Sequence, residues 1–303
     1  MTEPSARQRT DLKVGFACNN RCVFCAQGDK RSAVAAIDLP ELVERLRITF
    51  TPGRSLVLTG GEPTLRRDLV ELVAAAYRIG YRQIQVQTNG RALAYPSLVA
   101  RLRRAGVTEF SPALHGPTAE LHDALTCAPG SFDQTVAGIA NAIASGAGVI
   151  TNTVVVTANL ERLGDTLDRL ADLGVGHAQL AMVHPVGTAA HHFDQVVPRL
   201  EVAAPAVAAA IRRGRARGLD VVVEAMPACF LPGLEDALVE ERIPETTVVD
   251  LDGEPFAFSD WRRDTGKAKG PPCGGCARRD RCEGPWREYP EHHGWDAYRP
   301  LAG

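Results

Sequence analysis

The 303-residue sequence has no apolar run close to the roughly 18 residues that a membrane-spanning helix requires. Its polar start, Met1 to Asp11, lacks the apolar stretch of a secretory signal. Excess charge of one sign is also missing: 34 Lys and Arg against 36 Asp and Glu leave a formal net charge of −2. No strong overall field therefore draws the chain to nucleic acid or to an anionic membrane. There is no internal repeat and no low-complexity tract, so a repeat architecture is not expected. These absences leave a cytoplasmic globular protein, with neither nucleic acid nor membrane as partner. In that compartment thiols stay reduced, so the eight cysteines are not expected to form disulfides. Six of the eight sit in two tight groups, which points to metal or cluster binding.

What is present reads as α/β. Hydrophobic residues make up 45% and charged residues 23%, the balance of an ordinary folded domain. The length suits one large α/β domain with a small appendage, or two medium domains. Strand signals fall at Leu12–Ala17, Ser55–Gly60, Gln83–Thr88, Glu109–Leu114, Val149–Val156 and Ala178–Val183. Helical patterns fall at Leu39–Phe50, Asp68–Ile79, Tyr95–Ala105, Ser131–Ser145, Leu160–Leu173 and Val196–Arg217. Asp38 is placed to cap the first of these helices, with Pro40 in its first turn. Pro112 breaks the fourth strand and marks it as an edge or a bulge, and Pro205 is expected to kink the last helix. Strict alternation implies a parallel sheet with right-handed crossovers, either an open doubly wound layer or a barrel. Either way, ligands bind at the carboxyl ends of the strands. Composition changes after residue 219, where Pro, Gly, Arg and aromatics increase, though Asp220–Glu224 reads as one further strand. The expected division is a tail over 1–11, a main domain over 12–218 and a small metal-held module over 219–303.

The loop after the first strand reads Cys18-Asn19-Asn20-Arg21-Cys22-Val23-Phe24-Cys25. Three thiolates spaced C-x3-C-x2-C can hold three corners of a four-iron cluster and leave one iron open to chelate a substrate. A zinc site would want a fourth ligand, and none stands within the loop. The ferredoxin run spaces its cysteines differently.

This motif, with Phe24 before its last cysteine, resembles the signature of radical S-adenosylmethionine (SAM) enzymes. Gly60-Gly61-Glu62-Pro63 after the second strand is similar to that family's GGEP segment, and Thr88-Asn89-Gly90 after the third to its TNG turn. The resemblance spans residues 12 to 190 and implies a partial (β/α)6 TIM-type barrel. It implies that Cys18, Cys22 and Cys25 ligate a four-iron four-sulfur (4Fe–4S) cluster whose open iron binds SAM. The backbone at Gly60 and Gly61 would hold the amine of SAM, and Phe24 would lie near its adenine. Glu62 has a second reading, as a structural anion at a helix start. Relatives often carry a serine facing the ribose where this chain has Ala113; Ser111, on the same strand face, either substitutes or the strand gives no contact. Asn152, polar in an apolar strand, needs a partner, either a ribose hydroxyl or a neighbouring backbone group.

The second group, Cys273-Gly274-Gly275-Cys276 with Cys282, gives C-x2-C-x5-C, and Cys229 lies upstream. Spacing alone allows zinc or a second four-iron cluster. With Gly284 and Trp286 following, the pattern resembles the auxiliary-cluster domains, SPASM and twitch, of many radical SAM enzymes. There are too few cysteines for the larger form, so one auxiliary 4Fe–4S cluster in a twitch-like module is implied. Cys127 is left over as an unligated cysteine, His191-His192 and His292-His293 read as solvated surface, and His115 and His184 stand at the strand ends as substrate contacts or structural residues.

The function so implied is reductive cleavage of SAM to a 5′-deoxyadenosyl radical, hydrogen abstraction from a peptide or small-molecule substrate, and its oxidation by dehydrogenation or cross-linking. The alternatives are a redox-neutral epimerase or mutase and an iron–sulfur electron carrier. Expected partners are the substrate, a flavodoxin- or ferredoxin-type electron donor and a separate peptide-delivery protein, since only 17 residues precede Cys18. Anaerobic reconstitution is expected to load about eight irons per chain, and replacing Cys18, Cys22 and Cys25 together by Ala to remove about half. Stoichiometric zinc with almost no iron would exclude the cluster reading.

Overall fold

The computed structural model describes residues 8–302. One sheet of nine strands runs through them, in the order β7-β6-β5-β4-β3-β2-β1-β8-β9. The strands are β1 (Gln8–Lys13), β2 (Ser55–Thr59), β3 (Ile84–Thr88), β4 (Glu109–Pro112), β5 (Gly148–Val155), β6 (His177–Met182), β7 (Asp220–Glu224), β8 (Glu245–Val249) and β9 (Phe256–Ala257). Neighbours from β7 to β8 are parallel, and only β9 turns back antiparallel. Helices over 39–49, 69–79, 96–105, 131–144, 163–172 and 200–216 form the crossovers, so the expected strand–helix units are all present in an unclosed, partial TIM-type barrel.

The helices form where the sequence places caps and apolar stripes. The carboxylate of Asp38 accepts the N–H of Glu41 at 3.0 Å and starts Leu39–Thr49. Leu42 and Leu46 then fall on one face and bury against Leu12, Leu56 and Leu58. A second core lies under β5 to β7, where Leu163, Leu167 and Leu170 meet Leu180, Val207, Ile211 and Val223. Pro205 lies inside Leu200–Ala216, where it removes the donor that Glu201 would otherwise receive.

Three sequence expectations need correction. The first strand is Gln8–Lys13, not Leu12–Ala17, so residues 8 to 11 of the expected tail belong to the sheet. The apolar residues Val14 and Phe16 that suggested the later start pack in the loop that follows. Pro112 does not mark an edge: β4 lies between β3 and β5, and the proline closes the strand, after which one bridge joins Ala113 to Asn152. The sheet also runs past residue 218. Asp220–Glu224 pairs with β6, and Glu245–Val249, which periodicity had left in a loop-rich module, pairs along β1 from Gln8↔Glu245 to Leu12↔Val249. Trp286, Tyr289 and Tyr298 extend the second core, so residues 219–302 bury apolar surface against the barrel as well as among themselves.

The concave face is not filled by apolar layers as a closed barrel's is. Along β3, Ile84 and Val86 are buried toward the helices while Gln85 and Gln87 line a cavity. Glu109 and Ser111 on β4, Asn152 on β5, Gln179 on β6 and Glu224 on β7 do the same.

The C-terminal segment carries its own buried ion pair. Arg262, 2% exposed, donates from Nε and Nη2 to the Glu283 carboxylate at 2.7 and 2.8 Å. Arg262→Ala strands that carboxylate without a partner and is expected to cost about 3–5 kcal/mol. Urea denaturation with the same m-value and a lower midpoint would confirm it; an unchanged midpoint would refute it.

Candidate active site

Three loops meet at the carboxyl ends of β1, β2 and β3. The loop after β1 holds Cys18, Cys22 and Cys25. It is pinned from below by the helix Ala119–Thr126, whose carbonyls at Thr126 and Leu125 accept the N–H groups of Arg21 and Val23 at 2.8 and 3.1 Å. Gly60 and Gly61 let the loop after β2 press against it. A Cβ on Gly60 would stand 2.3 Å from the Gly15 carbonyl oxygen, and one on Gly61 2.5 Å from those of Phe16 and Ala17. The side-chain space at both glycines is therefore taken by the chain's own backbone, and Gly61 and Glu62 donate to Gly15 and Ala17 at 2.8 Å each.

Glu62 lies beneath this junction, 3% exposed. Its carboxylate accepts from the Thr64 N–H at 3.1 Å, the Thr64 hydroxyl at 2.5 Å, the Thr88 hydroxyl at 2.6 Å and the Asn89 N–H at 2.6 Å. Burial raises its pKa, and these donors work against that rise. The structural reading of Glu62 is the one the geometry supports. Asn89 in turn donates from Nδ2 to Asn19 at 2.6 Å and lies 3.9 Å from the Cys18 sulfur. Arg91 was not foreseen. Its guanidinium donates to the Asn19 carbonyl at 2.5 Å, to Asn20 Oδ1 at 2.9 Å and to Gln134 at 2.6 Å, tying the cysteine loop to the turn after β3.

A cavity of about 920 Å³ opens above these loops. Cys18, Cys22, Cys25, Gly60, Gly61, Asn89, Ser111 and Asn152 all line it, so most of the expected site converges there. Phe24, Glu62 and Pro63 do not line it; Phe24 is buried behind the loop with its ring edge-on to His115, centroids 4.7 Å apart. Burial, then the nearby Cys25 and Cys18, push the Cys22 thiol up to about 12, and burial also raises Cys18. Such thiols ionise readily only beside positive charge, which an iron cluster supplies. Asn152 Oδ1 is buried and finds no partner among the described residues, which answers the question left open in its strand: no backbone group satisfies it. Thiol chemistry and an orphaned acceptor in one cavity thus fit a cluster together with a polar ligand. Among the described residues no three His, Cys, Asp or Glu side chains converge on a single metal ion.

The second group follows β7 in the chain. Cys229 follows β7 in the short turn Ala228–Phe230. Burial raises its thiol to about 11, and the nearby Cys282, Cys273 and Cys276 add to the rise. All eight cysteines are free. A second cavity of about 430 Å³ is lined by Cys282, Glu240 and Glu283, and Arg242 lines both cavities. His184 stacks on Trp286 at 3.8 Å and fastens the loop after β6 to the C-terminal segment. Arg213 and Arg217 pair with Asp168 and Asp172 on the neighbouring helix, as surface charges do. No helix among the described residues is long and apolar enough to cross a membrane.

A family model described as the Radical SAM superfamily matches residues 12–170, just over half of the chain. A probable GTP 3′,8-cyclase of Saccharolobus islandicus is 32% identical over 191 residues, covering 62% of this chain and 61% of that protein. Another, of Sulfurisphaera tokodaii, is 28% identical over 198 residues, covering 64% of this chain and 62% of that protein. The chain thus spans under two thirds of the length of these curated relatives. Among solved structures, SuiB of Streptococcus suis bound to S-adenosylmethionine is similar with TM-score 0.65 at 15% identity, over 93% of this chain and 73% of that one. Coproporphyrinogen III oxidase of Escherichia coli, a radical SAM enzyme, is similar with TM-score 0.55 at 14% identity, over 82% and 64%. These two likenesses establish the fold.

Thiols held mostly protonated react slowly with alkylating agents, because the thiolate is the nucleophile. In apo protein at pH 8, Cys22 and Cys229 are expected to lag behind exposed Cys127 in iodoacetamide labelling, and to gain as pH rises toward 11. Peptide mass spectrometry reads the order. Equal rates for all three would show the two groups to be open and ordinary.

Proposed function

The chain belongs to the radical SAM superfamily and so binds a 4Fe–4S cluster and SAM; from that premise we propose that it oxidises a polar substrate, a small natural product or a residue of a peptide. Cys18, Cys22 and Cys25 hold the SAM-binding cluster. When both are bound, an electron passed to SAM releases methionine and a 5′-deoxyadenosyl radical that takes a hydrogen atom from the substrate. The residues around the cavity do the rest. Gly60 and Gly61 keep the loop after β2 tight against the cysteine loop, and the backbone there meets the amine of SAM. Ser111 and Asn152 face the ribose. The polar side chains Gln85, Gln87, Gln179 and Glu224 receive the substrate on the concave face.

The observation that carries the oxidative reading is the gathering of Cys229 with Cys273, Cys276 and Cys282. Four thiolates satisfy a 4Fe–4S cluster completely, with no iron left to bind substrate. Held there, a twitch-like auxiliary cluster would supply an acceptor for the electron that the substrate radical gives up as it loses a proton. Arg242 lines both the barrel cavity and the cavity beside Cys282. Reducing power comes from a flavodoxin- or ferredoxin-type donor, and the setting is the reducing cytoplasm. The names of the curated relatives favour a second reading, a redox-neutral rearrangement of a nucleotide.

One measurement tests the SAM cleavage that both readings share, and a second separates them. Reduced enzyme with SAM alone is expected to form 5′-deoxyadenosine slowly; Cys22→Ala should abolish this and Cys276→Ala should not. In a variant with Cys18, Cys22 and Cys25 all changed to Ala, the remaining cluster should give an electron paramagnetic resonance (EPR) spectrum that added GTP leaves unchanged. A GTP-dependent shift would reveal an open iron, and the redox-neutral reading would then replace the oxidative one.

A further inference from the structure

The chain has five tyrosines, and three of them, Tyr81, Tyr289 and Tyr298, are buried. Two of the three satisfy their hydroxyls within the fold. Tyr81 donates to the Leu46 carbonyl at 3.2 Å, and the oxygen of Tyr289 accepts the Leu200 N–H at 2.7 Å. Tyr298 differs. It is 4% exposed, and its hydroxyl finds no partner among the described residues. Leaving a buried hydroxyl unsatisfied costs about 1–3 kcal/mol. Phenylalanine would fill the same space without that penalty, so the oxygen rather than the ring needs an explanation.

Its surroundings supply one. The ring meets Phe230 edge-on at 5.1 Å, and Phe230 ends the turn Ala228–Phe230 that carries Cys229. On another side it packs on Trp295, centroids 4.8 Å apart. Trp295 fills the side-chain space of Gly270, where a Cβ would stand 2.3 Å from the indole, directly before the turn Pro271–Gly275 that carries Cys273. Tyr298 is thus wedged between the two segments that bring Cys229 and Cys273. The ionisable groups that bear on its hydroxyl are Tyr289, Cys229, Cys273 and Glu201. Tyr289 is engaged by Leu200, and Glu201 is paired with Arg199 at 2.6 Å at the surface. Sulfur is what remains. The chain beyond Tyr298 stays over the same group: the backbone N–H of Arg299 bears on the Cys229 thiol, and the Leu301 carbonyl accepts the N–H of Ala277, next to Cys276, at 3.0 Å.

We propose that the Tyr298 hydroxyl donates a hydrogen bond to sulfur of the second cluster, a ligating thiolate of Cys229 or Cys273 or the sulfide beside it, and so makes that cluster easier to reduce. The proposal rests on the reading that Cys229, Cys273, Cys276 and Cys282 hold a four-iron cluster. A donor stabilises the reduced cluster, which carries one more negative charge, more than the oxidised one, and the potential rises. One electron enters the cluster, and the phenol keeps its proton. Tyr298 is in this sense a positioning residue: it acts on the electron acceptor and touches no substrate.

The test uses the full-length chain with Cys18, Cys22 and Cys25 changed to Ala, reconstituted anaerobically, so that only the second cluster is read. Its midpoint potential is followed by EPR in a redox titration. If this parent protein takes up no four-iron cluster, the auxiliary-cluster reading fails before this one is reached. Tyr298→Phe keeps both ring contacts and removes the donor. It should retain its iron and lower the equilibrium constant for one-electron reduction about tenfold, as the loss of one hydrogen bond to a charged group does, which is a midpoint about 59 mV more negative. Replacing Tyr298 with 3-fluorotyrosine, nearly the same size and a stronger donor, should move the midpoint the other way. Should Tyr298→Phe lose its cluster, the fluorotyrosine protein carries the test. A ring that serves packing alone would leave the midpoint where it is in both proteins, and that result would overturn the proposal. So would shifts of the same sign in both, since they would mean a disturbed site rather than a weakened and a strengthened donor.

Discussion

A carboxylate that burial has taken from water must be satisfied by the chain around it, and Glu62 shows what that demands here. Its two oxygens draw the hydroxyls of Thr64 and Thr88 and the N–H groups of Thr64 and Asn89 to one point. Those donors belong to the loops after β2 and β3, so meeting the charge fixes one loop against the other. The next links follow in order. Fixing Asn89 fixes its side chain against Asn19 and near Cys18. Fixing Glu62 also fixes Gly61, whose backbone donates to the cysteine loop. The positions of three cysteines thus depend on one anion that touches none of them. Shifting the anion by an ångström would shift every donor above it.

A second constraint is the alternation along the strands. In a parallel sheet covered on both faces, strands read as continuous apolar runs. Here one face is apolar and packs under helices, while the other carries Gln85, Gln87, Glu109, Gln179 and Glu224. Glutamine pairs with glutamate twice, Gln85 with Glu109 and Gln179 with Glu224, so neither carboxylate lacks a donor. Such a surface cannot collapse into a dry core, because every polar group would have to find a partner within it. The lumen therefore stays open. Openness of the barrel is as much a consequence of this pattern as of the missing closure between β7 and β9.

How much of this was legible follows from the same two constraints. The cysteine spacing, the glycine pair and the turn after β3 carry their chemistry in local sequence, and the loops they mark do converge. The helices were legible because Asp38 caps and apolar stripes repeat with helical period. The start of β1 was not, since Gln8, Arg9 and Asp11 are polar and the apolar residues that follow belong to a loop. Glu245–Val249 was hidden for another reason: its partner β1 lies more than two hundred residues away, and no local pattern records a parallel pairing of that span. Arg91 and Asn20 show the same limit within the site, because their roles come from contacts between loops.

That long-range pairing bears on the chemistry. The segment that follows β7 is built into the barrel's own framework. Cys229 continues directly from β7, and β8 lies along β1, the strand that leads into the first cysteine loop. Between them the C-terminal segment is keyed in by Trp286, stacked on His184, with the Lys267 ammonium 4.3 Å from its ring centroid and 3.6 Å from Glu240. Lys267 is 2% exposed, so its charge depends on that carboxylate and that ring face in place of water. The same oxygen of Glu240, Oε1, accepts the N–H of Ala225 at 2.7 Å, a residue held at φ +64° where alanine is disfavoured. Backbone strain directly after β7 is thus tolerated where it sets the course of the chain toward Cys229. Residues beyond β7 are thereby joined to the barrel at both β7 and β1, strands whose Glu224 and Arg9 line the cavity.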